Sequence, residues 1–321
     1  MRYLLVLFLV LLTSCTLLKA DGIDLSLGKG SGIYVIPLES ENIKEYIEVY
    51  YYMPPQFNDE TSVIIIIPGS GRNASDYRDS WVKSADKYNL LVLSPSYPEE
   101  SYDFAAYHLG GVVEGLELKN PEIVKVDGRI SKYRISDEDI KFSFVKNKSD
   151  WIFDDFDLIF SSVKPIIGKG QTNYDVFGHS AGGQLLHRFA IFKPDSKANR
   201  IVAANSGFYT LPDASVSFPF GTDGTSVSQT TIHTSFAYKL VILLGELDDK
   251  SEKRGTMLHS PSADAQGLGR LERGKHFYSQ SQNLAKSAKA PFNWQLKPVK
   301  GVGHDYKKMG EAAAELLYGK K

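Results

Sequence analysis

The segment Tyr174-Asp175-Val176-Phe177-Gly178-His179-Ser180-Ala181-Gly182-Gly183-Gln184-Leu185 decides how the rest of this 321-residue chain is read. Residues 174–177 form a strand-like apolar run and residues 184–192 have helical character. The sequence therefore predicts a strand-to-helix turn with Ser180 at its apex. Such a turn strains the serine backbone, and flanking glycines leave room for it and for a closely approaching ligand. It also sets the Ala181 N–H at a helix N-terminus, where it can donate to an oxyanion. A Gly-x-Ser-x-Gly pentapeptide alone arises by chance in roughly one such chain in every five to ten. Its meaning rests on what surrounds it.

Outward from this turn the chain alternates. Upstream, Val63-Ile64-Ile65-Ile66-Ile67 is apolar on both faces, as a strand covered by helices on both sides must be. It stops at Pro68-Gly69-Ser70-Gly71, and a helical stretch covers 81–88. Strands are expected at 33–38, 46–53, 90–93, 201–204, 239–244 and 294–299, and helices at 151–163, 280–288 and 307–318. Strands alternating with helices predict an α/β domain with a mostly parallel central sheet. One stretch breaks the pattern: residues 97–149 read as an insertion or cap, with short strands at 123–126 and 141–145 around an Asp127-Gly128 turn.

A serine hydroxyl needs a histidine to take its proton, and the histidine needs a carboxylate to fix its tautomer. In a fold of this kind the chain order is serine, acid, histidine. Directly after the 239–244 strand comes Gly245-Glu246-Leu247-Asp248-Asp249. Asp248 is the preferred acid, Asp249 the second choice and Glu246 the third. His304, in Gly301-Val302-Gly303-His304-Asp305 between the last strand and the last helix, is the preferred histidine; His259 and His276 read as surface groups. His108, His179, His187 and His233 precede the acid and are assigned to packing or local hydrogen bonds. The second oxyanion donor is expected from the turn after the first buried strand, with Ser70 preferred and Gly71 second. No His-x-x-x-His pair or Cys/His cluster suggests a metal, and no cofactor is called for.

With these residues placed, the chain resembles α/β-hydrolases of the esterase and polyhydroxybutyrate-depolymerase-like group from about residue 62 onward. The likeness rests on Ile67-Pro68-Gly69-Ser70-Gly71-Arg72-Asn73, Gly178-His179-Ser180-Ala181-Gly182-Gly183, Gly245-Glu246-Leu247-Asp248 and Gly303-His304. The segment from Ala204 to Pro212 also looks like the loop that borders the substrate cleft in such proteins. Pro68 departs from the pattern, standing where a loop-supporting histidine is common. The resemblance implies a serine hydrolase that cleaves small or polymeric carboxylic esters through an acyl-enzyme, with Ser180, Asp248 and His304 catalytic and Ser70 and Ala181 forming the oxyanion hole. A serine peptidase on the same fold, an acyltransferase and a non-catalytic membrane-tethered binding module remain as alternatives.

Composition bounds these readings. A net charge of −1, with 42% hydrophobic and 23% charged residues and no basic block, argues against an electrostatic nucleic-acid footprint. The single cysteine, Cys15, excludes an intramolecular disulfide. It follows Met1-Arg2 and the apolar run 4–12, which is too short to span a bilayer and has signal-peptide length. Leu12-Thr13-Ser14-Cys15 resembles the lipobox of bacterial lipoproteins, which implies cleavage before Cys15, lipid on its thiol and attachment to a membrane outside the cytoplasm. Thr16 replaces the Asp that marks inner-membrane retention in some Gram-negative bacteria, so the outer membrane is expected over the inner. The expected organisation is a lipoprotein signal peptide (1–14), a tether (15–32) and one α/β domain (33–321).

Overall fold

The computed structural model describes residues 27–38 and 46–319. The expected signal peptide, Cys15 and most of the tether lie outside the described residues. Among the described residues eight strands form the central sheet: β1 (Gly30–Pro37), β2 (Tyr46–Met53), β3 (Ser62–Ile67) and β4 (Leu90–Pro95) before the 97–149 stretch, and, after it, β9 (Tyr174–His179), β10 (Ala198–Ala204), β11 (Leu240–Gly245) and β13 (Gln295–Val299). Their order is β1-β2-β4-β3-β9-β10-β11-β13. β1, β2 and β4 pair antiparallel, and every pair from β4 through β13 is parallel. β1 already includes residues 30–32 of the expected tether, which pair with Tyr51, Tyr52 and Met53 of β2.

The β-branched run in β3 behaves as a strand with helices on both faces should. Val63, Ile65 and Ile67 enter one core, while Ile64 and Ile66 enter the other. The second, smaller core is closed by α1 (Ala74–Ser80), α2 (Val82–Tyr88) and α9 (Tyr306–Tyr318), which contribute Tyr77, Ala85, Met309 and Ala313. The larger core takes Phe156, Leu185 and Phe277 from α4 (Asp155–Ser162), α5 (Ala181–Phe192) and α8 (Arg270–Ser287), with α6 (Gln229–Ser235) and α7 (Pro261–Ala265) beside them. The expected 81–88 helix is α2, and a further helix, α1, precedes it, with Trp81 between the two packed on Phe177 at 5.3 Å. The expected 280–288 helix runs back to Arg270.

The 97–149 stretch holds α3 (Phe104–His108) and four strands: β5 (Val113–Leu118), β6 (Glu122–Val126), β7 (Arg129–Arg134) and β8 (Ile140–Phe144). Its pairing differs from expectation. Asp127 and Gly128 both have positive φ, the geometry of a two-residue hairpin turn, so β6 folds back on β7. β8 pairs with β5 instead. β7 also receives β12 (Met257–His259) in parallel, which ties the insertion to the chain that follows β11.

This topology positions a site. From β3 the chain crosses to β4 on one side and returns to β9 on the other. The carboxyl ends of β3 and β9 are neighbours, with Ile67 opposite Gly178. In open α/β sheets the crevice at such a switch point is where ligands bind.

Candidate active site

Ser180 sits between β9 and α5 with φ 58° and ψ −114°, a conformation that strains any L side chain. Two glycines permit it sterically. A Cβ on Gly178 would come within 2.4 Å of the Gly182 carbonyl oxygen, and one on Gly182 within 2.3 Å of that of Ile67. The turn is anchored by the Ser180 N–H, which donates to the Ala204 carbonyl at 2.9 Å. The serine remains half-exposed at the sheet edge.

His304 arrives from the loop after β13 and Asp248 from the loop after β11. His304 Nε2 lies 3.1 Å from Ser180 Oγ, and His304 Nδ1 lies 2.7 Å from Asp248 Oδ2. The carboxylate requires the imidazole proton on Nδ1, which leaves Nε2 to accept from the serine. Burial holds the His304 pKa well below the ordinary histidine range, helped by the nearby Arg270. The imidazole is therefore neutral, as a general base must be. Burial raises the Asp248 carboxyl, and the adjoining Arg270 guanidinium opposes that rise.

The structure thus brings Ser180, His304 and Asp248 together and leaves the second-choice acid out. Asp249 is half-buried and accepts from the Ser251 amide and hydroxyl within its own turn. Glu246 accepts from the Gly301 amide at 3.3 Å. His259 pairs with Asp264 at 2.7 Å, away from the serine. His179 and His187 are buried in local hydrogen bonds, and His108 is buried and stacked on Phe104. Among the described residues no group of three or more His, Cys, Asp or Glu could hold a metal ion.

The turn after β3 abuts the serine, since a Cβ on Gly69 would meet Ser180 Cβ at 3.4 Å. The Gly69 amide is taken by the Tyr77 hydroxyl, which also meets His179 Nδ1 at 3.2 Å. Ser70 and Gly71 are exposed at the crest of the turn. Ala181, at the first position of α5, presents an N–H with no partner inside the helix. The Pro68 carbonyl accepts from the Tyr107 hydroxyl at 2.6 Å, and Arg72 donates to the Tyr97 and Tyr102 carbonyls at 2.8 Å each. These contacts tie down a turn that lacks the supporting histidine.

Three further groups brace the site and were not singled out from sequence. Asn205 bridges the three loops: its Oδ1 accepts from the Gly245 amide at 2.8 Å, and its Nδ2 donates to the Gly303 carbonyl at 3.2 Å. Glu252 accepts from the His304 amide at 2.8 Å and pairs with Arg254, which holds its carboxyl far below the usual range. Arg270 donates to Asp248 Oδ1 at 3.0 Å. Arg270 is the first residue of α8, ahead of the stretch whose sequence reads as helix. A cation in the first turn of a helix opposes the helix dipole, and a buried carboxylate partner offsets that cost.

Neither a family model nor a curated protein matches the chain. Solved structures do. The protein is similar to poly(aspartic acid) hydrolase-1 from Sphingomonas sp. KT-1, at 28% identity and a TM-score of 0.76, over 91% of this chain and 100% of that one. It is also similar to a poly(3-hydroxybutyrate) depolymerase from Bordetella parapertussis, at 26% identity and a TM-score of 0.74, over 91% of this chain and 90% of that one. An IroE-like serine hydrolase from Shewanella oneidensis, 11% identical, shares the fold with a TM-score of 0.52 over 90% of this chain and 80% of that one. The fold is that of the α/β-hydrolases.

Proposed function

We propose that this chain is a serine hydrolase that cleaves carboxylic esters through an acyl-enzyme on Ser180. The observation that carries the reading is the continuous contact from Ser180 Oγ through His304 to Asp248, at 3.1 and 2.7 Å. Ser180 Oγ adds to the ester carbonyl while His304 Nε2 takes its proton, and Asp248 stabilises the imidazolium. The carbonyl oxygen, now an oxyanion, is held by the N–H groups of Ser70 and Ala181. His304 returns its proton to the departing alcohol oxygen as the C–O bond breaks. Water then enters, gives a proton to His304 and adds to the acyl carbon; the acid leaves and Ser180 recovers its proton.

Two similar structures above 25% identity are hydrolases named for polymers, which supports a polymeric substrate. A second reading, amide hydrolysis on the same residues, is favoured by the likeness to the poly(aspartic acid) hydrolase, because that polymer is joined by amide bonds. A fluorophosphonate probe tests the nucleophile. Wild type should label covalently and Ser180→Ala should not; an unlabelled wild type, or equal labelling of both, refutes the reading. Short and long acyl esters, polyester and polyamide then separate ester from amide preference.

The lipobox-like Leu12-Thr13-Ser14-Cys15 supports carriage of this domain as a bacterial lipoprotein, anchored through Cys15 outside the cytoplasm. Cys15→Ser should move the protein out of the membrane fraction, and retention there would refute the anchor.

A further inference from the structure

Behind the serine–histidine contact lies an ion pair that the acyl-transfer steps do not use. Asp248 is fully buried and divides its two oxygens: Oδ2 faces His304, and Oδ1 accepts from Arg270 Nη1 at 3.0 Å. The guanidinium is itself buried. It also donates to the Arg254 carbonyl at 3.3 Å and the Thr256 carbonyl at 3.4 Å. The Thr256 hydroxyl bonds the Ile130 carbonyl of β7 at 2.9 Å, so the insertion braces the segment that seats Arg270. Gly255 closes over the pair. A Cβ there would meet Arg270 Nη2 at 2.8 Å and His304 Nε2 at 3.2 Å, and its φ of +71° favours glycine.

We propose that Arg270 is a positioning residue of this site, whose guanidinium orients Asp248 and keeps the Asp248–His304 pair from taking up a proton through the neutral range. The inference rests on the serine-hydrolase reading of Ser180. A carboxylate buried with only an imidazole beside it takes a proton on one or the other as the pH falls, and either event removes the base. A fixed cation 3.0 Å from Oδ1 opposes both. The other groups facing the pair do not substitute for it. Glu252 is anionic and committed to Arg254 and the His304 amide. Arg254 is half-exposed and paired with Glu252 and Asp305. The His179 ring, 4.5 Å from His304, is buried, and burial keeps it neutral. Tyr209, near Asp248, is buried and neutral too.

The test is the rate of fluorophosphonate labelling of Ser180 between pH 5.5 and 8, with folding checked by circular dichroism at each pH. Wild type should label at a nearly constant rate across this range. Arg270→Gln, which keeps hydrogen-bond donors but loses the charge, should lose about tenfold between pH 7.5 and 5.5, the effect of one pK unit or more entering the window. Arg270→Lys keeps the charge and should stay flat, and this variant carries the test if the Gln variant does not fold. A folded Gln variant with a flat profile overturns the inference, as does a Lys variant with a tenfold acid loss. Failure of wild type to label overturns the serine-hydrolase reading instead, so the two failures are distinguishable.

Discussion

Lowering the pH from 7 to 5 charges histidines in the unfolded chain while several stay neutral in the folded one. His108, His179, His187 and His304 are all buried, and burial is the first cause depressing each. His108 is pushed down to about 3, between the Arg72 and Arg188 guanidinium groups. His187 shows why protonation is resisted. Its Nε2 accepts from the Thr210 amide at 3.0 Å and its Nδ1 donates to the Gly183 carbonyl at 3.1 Å, so a second ring proton would have to displace the Thr210 bond. Groups with folded pKa values below the unfolded value of about 6.5 give stability that is present above it and lost as the pH falls. Near pH 5.5 the unfolded chain binds about 0.9 more protons per such histidine, so four give a slope of about 5 kcal/mol per pH unit. Between pH 7 and 5 the loss is about 7 kcal/mol, comparable with the whole stability of an ordinary domain at 5–15 kcal/mol. Asp248, with its raised carboxyl, acts in the opposite direction, but as one group against four. Urea unfolding followed by tryptophan fluorescence from pH 7.5 to 5 measures the slope directly. His187→Gln should flatten it by about a quarter. A wild-type slope below about 2 kcal/mol per pH unit would mean that fewer than two of these histidines stay neutral, which overturns the prediction.

Three substitutions probe the site from other directions. Asp248→Asn should lower turnover of any cleaved substrate by about 10³–10⁴-fold through the wrong imidazole tautomer, whereas Asp249→Asn should leave it within about twofold. Steady-state kinetics on both variants decides between the two neighbouring acids. Gly182→Ala places a methyl group 2.3 Å from the Ile67 carbonyl oxygen and 2.6 Å from that of Pro68. It should cost about 2–3 kcal/mol, read as a lowered thermal midpoint, and an unchanged midpoint would refute the close β3–α5 contact. Asn205→Ala strands the buried Gly245 amide and removes one of two hydrogen bonds to the Gly303 carbonyl, which still accepts from the Asp305 amide. A loss of about 1–3 kcal/mol in urea unfolding is expected, together with a fall in kcat as the acid and histidine loops lose their common tie.

The elements that were legible are those whose periodicity is made of large apolar side chains. The β3 run splits between two cores at successive residues, so its composition alone required a sheet covered on both faces. The turn at Ser180 was legible for a related reason: its steric demands are local, and glycines mark them. The first half of α8 was not legible, because the face it buries consists of Arg270, Arg273, Gly274 and Phe277. A helix that buries arginines and glycine shows little hydrophobic period, and only the later turns around Ala285 read as helix. The pairing of β8 with β5 was missed because their register is set across 97–149 as a whole, beyond the single hairpin turn that sequence reveals.

The same limit separates the triad from its support. Ser180 and His304 are 124 residues apart and meet at 3.1 Å, yet both could be found, because each follows a strand of one parallel sheet and strand ends converge on one edge. Arg270 and Asn205 offered no such rule; what they do depends on which buried atom faces them. Their consequence joins the acid sensitivity of the buried histidines. A site whose base is kept neutral by burial and by Arg270 does not lose that base in mild acid. Activity should then end where the domain unfolds, and not where the imidazole titrates. The acid edge of labelling in wild type should therefore coincide with the loss of near-ultraviolet ellipticity, and should move with any stabilising substitution far from Ser180. An edge that stays fixed while the unfolding midpoint moves would assign the limit to His304 itself.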